Sequence, residues 1–296
     1  MLSEKPLLDP KTCVVITYAG EREYIKDAIQ SCLDQSIPVK IVVVIDGVTT
    51  DGKLEEQLVK GLLQSCVSDT TAIQIVISEI SGPSALRNLG ISRTECEFIL
   101  PLDADDKIGE NYVETAETTF FKNQNSGIVY GAARFFGLKN EIWALETFSK
   151  SSMAIENQIY SCAMFRKSDW LACGGYDEDL IYGAEDWDFW LKILSLNREV
   201  NFIEGETFFW YRQRINSRSD KFAKMTNEID WTYNRIAQNN VGFMSEQVLS
   251  IYKRRVHLEG QIRLPKSILI TLLKSILRKN KVLHLFITKL HKNLKK

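Results

Sequence analysis

Glu97-Phe98-Ile99-Leu100-Pro101-Leu102-Asp103-Ala104-Asp105-Asp106 is the stretch from which the fold of this chain can be inferred. Its apolar part, Phe98 to Leu102, predicts a buried strand that ends in three carboxylates. Ligands bind at the carboxyl ends of strands in open α/β sheets. Three crowded acids repel one another, and their oxygens suit Mg²⁺ or Mn²⁺. A polar turn before a helix is the simpler alternative, because Asp is favoured there.

Three more apolar runs precede this stretch, and each predicts a buried strand: residues 12–18, 40–46 and 73–78. Apolar residues recur at helical spacing in the intervening segments 21–33 and 51–64. Strands that are apolar throughout and alternate with helices indicate a parallel sheet covered on both faces. We therefore predict an α/β protein with a Rossmann-like, mostly parallel sheet.

The pattern changes after the acidic stretch. Residues 127–138 and 141–148 predict two antiparallel strands around a Lys139-Asn140 turn. Ser168 is expected to cap a short helix that ends at Gly174-Gly175. Another helix, two strands and further helices follow, so the second part of the chain adds antiparallel pairs to the parallel sheet.

Composition excludes several protein classes. With 296 residues, 45% hydrophobic and 25% charged, the chain resembles an ordinary soluble protein of one large domain or two. Its six cysteines are scattered without a CxxC pair, which indicates reduced thiols in the cytosol. No apolar signal region or run of about 20 apolar residues is present, so we expect neither classical export nor a membrane span.

The net charge of −1 conceals an asymmetry. Residues 252–296 carry thirteen Lys or Arg and one acid, a charge of +12, which leaves −13 on residues 1–251. Leucines and isoleucines lie near helical spacing between these basic residues, as in helices that bind anionic membranes. A helix packed on the body or on a dimer partner is the alternative. Interleaved aromatics are absent, so nucleic-acid binding is not expected.

Several segments in a fixed order carry a resemblance to a known family. They are Val14–Tyr18, Val43–Gly47, Gly82–Gly90, Leu102–Asp106, and a later block of Gly174–Glu178 with Gly183–Asp188. Over roughly residues 12–214 the chain resembles the family-2 glycosyltransferases, an inverting family with the GT-A fold. Leu102–Asp106 matches the DxD signature of that family, and Gly82–Gly90 is expected to form a short helix that ends on its glycine.

The resemblance implies a domain organisation. Residues 1–215 would form a GT-A catalytic domain, with a nucleotide-binding half (1–106) and an acceptor-side half (107–215). Residues 216–296 would form a helical C-terminal extension that includes the basic amphipathic tail.

The resemblance also implies roles for individual residues. Nucleotide-sugar binding falls to Thr17, Tyr18, Glu21, Asp46, Arg87 and Asp103. Asp46 would accept a hydrogen bond from the base, and Asp103 would hold the ribose. Asp105 would ligate Mn²⁺ or Mg²⁺ on the donor diphosphate. Asp186, beside Glu185, would be the catalytic base that deprotonates the acceptor hydroxyl.

Each of these roles has a simpler alternative. Asp46 is also a residue type that begins turns, and Arg87 could lie on the surface of a helix. Glu185 and Asp186 would also favour a helix N-terminus through its dipole. Asp188 is the substitute candidate for the base.

Two places depart from the family pattern. Asp46-Gly-Val-Thr-Thr-Asp replaces the more usual paired acids followed by Gly-Ser, and the second departure is the more serious. Arg214 occurs where many members have His after the Tyr-Arg pair. Arginine can contact phosphate but cannot ligate a cation, which puts tight metal binding in doubt.

The function predicted from the sequence is an inverting glycosyltransferase. It would move a sugar from a nucleotide sugar, expected to be UDP-linked, to a glycan or lipid-linked saccharide of the bacterial surface. The expected location is the cytoplasm, peripheral on the inner face of the membrane. A nucleotidyltransferase and a non-catalytic nucleotide-sugar-binding protein are the alternatives. The first normally needs a Gly- and Lys-rich phosphate loop, which Ala19-Gly20-Glu21-Arg22 does not supply.

Overall fold

The computed structural model describes residues 9–66, 73–215, 217–248 and 251–252. The strands are β1 (Thr12–Tyr18), β2 (Lys40–Asp46), β3 (Ile73–Ser78), β4 (Phe98–Asp103), β5 (Lys107–Ile108), β6 (Ser126–Gly131), β7 (Ala133–Gly137), β8 (Ile142–Trp143), β9 (Met164–Arg166), β10 (Glu199–Ile203) and β11 (Phe209–Gln213). The helices are α1 (Ile25–Leu33), α2 (Gly52–Cys66), α3 (Pro83–Ser92), α4 (Tyr112–Lys122), α5 (Lys150–Met153), α6 (Lys167–Cys173), α7 (Glu185–Ser195), α8 (Arg218–Phe222) and α9 (Thr226–Asn239).

The main sheet confirms the predicted α/β class. Its seven strands run in the order β10-β6-β9-β4-β1-β2-β3, and only β9 is antiparallel to its neighbours. Every residue of β1 is buried, as its unbroken apolar run predicts. Because β4 and β2 lie on opposite sides of β1, the strand order reverses at β1.

The second sheet, β5-β11-β7-β8, confirms the predicted antiparallel pairing around Lys139-Asn140, since β7 and β8 are antiparallel, but it corrects the extent of the first strand. Residues 127–138 divide after Gly131, so that β6 joins the main sheet and β7 joins the second sheet. β6 is buried along its length beside β10, whereas β7 is mostly half-buried and pairs in parallel with β11. The antiparallel pairing of β7 with β8 is short, because β8 has only two residues.

Two predicted helix ends were wrong. Gly90 lies inside α3, where an added Cβ would overlap side-chain atoms of Val15 and Val44. This glycine therefore permits close helix–sheet packing and does not end the helix. α6 begins after Arg166 without a side-chain cap, so Ser168 is not its N-cap, whereas Gly174 ends it in the left-handed region as predicted (φ 80°).

Asp188 connects the end of α9 to α7. It is fully buried in α7, and its Oδ1 accepts hydrogen bonds from Asn239 at 3.0 Å and Asn240 at 2.8 Å. Lys192 Nζ lies 2.8 Å from Oδ2. This carboxylate therefore anchors α9, and it is not among the residues that line the cavity described below, which argues against it as the substitute base.

The division at residue 215 stays a prediction, and the predicted basic tail lies outside the described residues. Among the residues that are described, no helix has both the length and the apolar character needed to cross a membrane.

Candidate active site

The candidate site lies at the carboxyl end of β1, where the strand order reverses. Parallel strands that diverge on either side of such a point leave a crevice in which ligands bind. Thr17 is the next-to-last residue of β1 and Asp103 the last of β4, and the Thr17 hydroxyl donates to Asp103 Oδ1 at 2.9 Å. The hydrogen bond fixes one carboxylate of the acidic stretch at the floor of this crevice.

All nine residues predicted for the site line a single cavity of about 740 Å³. They are Thr17, Tyr18, Glu21, Asp46, Arg87, Asp103, Asp105, Glu185 and Asp186. A volume of this size accommodates a nucleotide-sized ligand. Residues from β1, β2, α3, β4 and α7 are thereby brought together, although their individual roles stay predictions.

Arg87 links the nucleotide half of the cleft to α7. It is 1% exposed, which rules out the surface position considered from the sequence. Its Nη2 donates to Asp103 Oδ1 at 2.8 Å, and its Nη1 donates to Glu185 Oε1 at 2.6 Å. A buried guanidinium between two carboxylates is stable only while both partners remain.

Glu185 is held by two arginines. Arg218, the first residue of α8, donates from Nη1 to Oε1 at 3.2 Å and from Nη2 to Oε2 at 2.9 Å. Burial opposes ionisation of Glu185, but Arg218 and Arg87 overcome it and lower its pKa to about 2. A carboxylate with so low a pKa is a poor proton acceptor, so Glu185 suits a positioning role.

Asp186 has the opposite electrostatic environment. Burial raises its pKa, and the adjacent Glu185 carboxylate raises it further, to about 6. Its Oδ2 accepts a hydrogen bond from Asn157 Nδ2 at 3.0 Å. Ala184, immediately before α7, has a φ of 59°, a left-handed conformation that is unfavourable for alanine and directs the start of α7 into the cleft. A half-buried carboxylate with a pKa near neutrality is suited to accept a proton.

Asp46 has the turn role considered from the sequence and also lines the cleft, although its side chain is mostly buried. Its Oδ1 accepts from the Val48 and Thr49 backbone N–H groups at 3.0 Å each, and its Oδ2 accepts from Ser81 Oγ at 2.7 Å. Burial opposes ionisation, but these hydrogen bonds, Ser81 first, lower its pKa. Asp46 therefore stays ionised, with room for one further donor on Oδ2.

Tyr18 and Glu21 line the cleft, and the polar groups of both side chains form hydrogen bonds within the protein. The Tyr18 hydroxyl donates to Glu55 Oε2 at 2.5 Å, and Arg22 Nε donates to Glu55 Oε1 at 3.0 Å. Glu21 Oε2 accepts from the Ala19 backbone N–H at 2.7 Å. The Tyr18 hydroxyl thus holds β1 to α2 rather than offering a free group to a ligand.

Asp105 pairs with an arginine of the second sheet. Arg214 Nε lies 2.8 Å from Asp105 Oδ2, and Arg212 Nε donates to the Asp105 backbone oxygen at 2.7 Å. Burial and the nearby Asp103 raise the pKa of Asp105 to about 6, against the opposing effect of Arg214. Asp106 is 1% exposed and accepts the Arg212 backbone N–H at 2.7 Å, so it holds β11 in place.

These donors do not complete a divalent-cation site. In the described part of the chain, no cluster of three or more His, Cys, Asp or Glu residues could hold a metal ion. Asp105 Oδ2 is paired with Arg214, and Asp103 Oδ1 already accepts from Thr17 and Arg87. A guanidinium beside the remaining oxygens repels a second cation.

Three residues of the site carry no pattern in the sequence that would have revealed them: Ser81, Asn157 and Arg218. Each lies in a loop or at the first turn of a short helix. Arg218 could have been suspected only after Glu185 was known to be buried, since a buried carboxylate needs a partner.

Comparison with known proteins points to one family. The family described as Glycosyl transferase family 2 matches residues 12–177. TuaG of Bacillus subtilis (strain 168), named for teichuronic acid biosynthesis, is 30% identical over 115 residues, which is 38% of this chain and 42% of TuaG. GgaA of the same organism, a minor teichoic acid biosynthesis protein, is 24% identical over 70% of this chain and 49% of GgaA.

Solved structures show the same fold. The crystal structure of residues 1–349 of S. aureus TarS with UDP-GlcNAc has a TM-score of 0.62 and 19% sequence identity, and it covers 77% of this chain and 66% of that one. The UDP complex of the same fragment has a TM-score of 0.61 and 18% identity, over 77% of this chain and 65% of the other. The chain thus spans less than half of either Bacillus relative and about two thirds of the TarS fragment.

Proposed function

Because this chain belongs to glycosyltransferase family 2 and is a glycosyltransferase with the GT-A fold, we propose that it transfers a sugar with inversion from a UDP-sugar to a saccharide hydroxyl. The acceptor would be a growing or lipid-linked glycan of the bacterial surface. The observation that carries the proposal is the shared cavity, in which strand-end groups suited to a nucleotide and the Asp186 carboxylate face one another.

The choice of donor rests on the nucleotide side of the cavity. Asp46 Oδ2 can accept the imide N–H of uracil, and Asp103, held by Thr17 and Arg87, can accept from a ribose hydroxyl. TarS, which shares the fold, has been crystallised with UDP and with UDP-GlcNAc. These facts favour a UDP-sugar over donors with other bases.

The proposed reaction uses Asp186 as the base. The acceptor oxygen forms a bond to the anomeric carbon while its proton passes to Asp186. The bond from that carbon to the β-phosphate oxygen breaks, and its electron pair leaves with UDP. Attack opposite the leaving group inverts the configuration, and no covalent enzyme intermediate is needed. The proposed reaction does not use a divalent cation, since Asp105 is paired with Arg214.

The acceptor is proposed from the relatives. TuaG and GgaA are named for teichuronic and teichoic acid synthesis, both of which build surface polymers. In the described part of this chain, Trp143 and Tyr211 line the same cavity, with ring centroids 5.5 Å apart. Such rings can pack on the apolar face of a sugar.

Turnover distinguishes this function from a binding protein. We expect the protein to release UDP from at least one UDP-sugar in a panel, faster when a saccharide acceptor is added. A coupled assay for UDP measures this, with Asp186→Asn as the inactive control. If UDP-sugars bind but none is turned over, the protein is a nucleotide-sugar-binding protein instead.

We also propose peripheral binding to the anionic inner face of the cytoplasmic membrane. The support is the charge of +12 on residues 252–296. Each basic residue near such a surface contributes roughly 1 kcal/mol, and the attraction weakens with salt.

Flotation of the full chain tests this location. We expect it to float with anionic vesicles, to float less at high salt, and to stay unbound with neutral vesicles. A matched variant exchanges five basic residues for Gln: Lys274, Arg278, Lys281, Lys289 and Lys292. Equal flotation of this variant would contradict electrostatic binding through the tail.

A further inference from the structure

Arg214 occupies the edge of the cavity beside the acidic stretch. It follows β11, and its Nε lies 2.8 Å from Asp105 Oδ2, while its Nη2 lies 3.6 Å from Glu21 Oε1. Its side chain is 36% exposed and lines the cavity, so part of the guanidinium faces the ligand space. Two acids thus lie close to the guanidinium, while the Arg214 side chain stays partly exposed in the cavity.

The other cavity arginines are committed elsewhere. Arg87 is buried between Asp103 and Glu185, and Arg218 is bidentate to Glu185. Arg212 donates to the Asp105 backbone oxygen and to Asp27, and its guanidinium packs over Tyr24. Arg214 is therefore the cavity arginine best placed to offer N–H donors to an incoming anion.

We propose that Arg214, and not a divalent cation on Asp105, neutralises the diphosphate of the donor. A guanidinium has five N–H donors and binds phosphate oxygens in pairs. Asp105 and Glu21 then act as positioning residues for Arg214. When the bond to the sugar breaks, the charge that develops on UDP is stabilised by this preorganised cation. The inference rests on the proposed use of a UDP-sugar.

The inference makes UDP binding independent of divalent metal. We expect the UDP dissociation constant of the wild-type protein, measured by calorimetry, to differ by less than about threefold between EDTA and Mn²⁺. A threefold change in this constant corresponds to less free energy than the loss of one charged hydrogen bond. In EDTA, Arg214→Ala should weaken UDP binding about tenfold or more, because charge-assisted hydrogen bonds to phosphate are lost.

Two further variants separate a binding role from a structural one. Arg214→Lys keeps a positive charge without the paired donors, so we expect it to recover part of the affinity lost in Arg214→Ala. Arg93→Ala removes an exposed arginine that does not line the cavity, and its UDP affinity should equal that of the wild type. Thermal unfolding without UDP should show a cooperative transition for all four proteins, and the midpoint of Arg214→Ala measures what the lost pairing with Asp105 costs in stability.

Three outcomes would count against these assignments in different ways. Wild-type binding that is ten or more times weaker in EDTA than in Mn²⁺ would overturn the inference and restore the cation role of Asp105. Unchanged UDP affinity in Arg214→Ala would overturn it as well. Failure to bind UDP in either buffer would overturn the UDP-sugar assignment itself.

Discussion

The Asp186→Asn variant is expected to lose sugar transfer by roughly 10²–10⁴-fold, the usual contribution of a general base, while its affinity for the donor is unchanged. The amide keeps the shape of the side chain, but it cannot take the proton of the acceptor hydroxyl. Donor affinity should persist because the proposed contacts to the base and the ribose come from Asp46 of β2 and Asp103 of β4, not from α7.

The pH dependence gives an independent measurement of the same role. Asp186 acts as a base only when it is deprotonated, and burial with the nearby Glu185 raises its pKa to about 6. Wild-type transfer should therefore fall as the pH is lowered through about 6 and level off above it. Glu185, with a pKa lowered to about 2, stays ionised across this range, whereas Asp105, whose pKa is also raised to about 6, titrates in the same range and contributes to the profile.

Asp220→Asn is the matched control, since Asp220 is exposed on α8 and does not line the cavity. It should transfer sugar at the wild-type rate. Near-normal transfer by Asp186→Asn would remove Asp186 as the base, and the base would then have to be sought elsewhere in the cavity.

Arg87→Met is expected to lower the free energy of unfolding by about 3–5 kcal/mol, as measured by urea denaturation. Methionine fills part of the volume but leaves Asp103 and Glu185 without the cation that joins them. Removing one partner of a buried ion pair is costly because the remaining charge, here chiefly that of the buried Glu185, is poorly solvated. Much of the fall in unfolding free energy should come from the broken ion pairs, because Glu185 is then paired with Arg218 alone among the described contacts.

The control is Arg93→Met, which makes the same change at an exposed arginine just after α3. Its unfolding free energy should stay within about 0.5 kcal/mol of the wild type. Equal stability of the two variants would mean that the ion pairs of Arg87 contribute little beyond the volume of its side chain.

Much of the main sheet could be predicted from local sequence. β1, β2 and β3 have the predicted bounds. β1 and β2 are apolar along nearly their whole length, the pattern that burial on both faces requires, whereas the edge strand β3 includes an exposed Gln74. The ends of such strands meet at one edge of a parallel sheet, so the carboxylates that follow them were expected to converge. They do line one cavity, together with the start of α7.

The partners of these groups were decided by tertiary structure. Arg87 and Glu185 are 98 positions apart, and Arg212 and Asp105 are 107 apart. Contacts between residues so far apart in sequence produce no periodic pattern in the chain. The burial of Arg87 and the pairing of Arg214 with Asp105 therefore could not be predicted from local sequence. The division of residues 127–138 between two sheets was likewise hidden, because both strands are apolar and differ only in what packs against them.

The sequence by itself thus determined the α/β class, the strand ends and the types of group at the site, since these follow from local hydrophobic patterns and residue chemistry. Only the tertiary structure decided which acids are neutralised and which is left to accept a proton. Among the described contacts, Glu185 is paired with two arginines, which lower its pKa, whereas Asp186 has no arginine as a direct partner. The pKa of Asp186 is therefore raised, because burial raises the pKa of a carboxylate that lacks a paired cation.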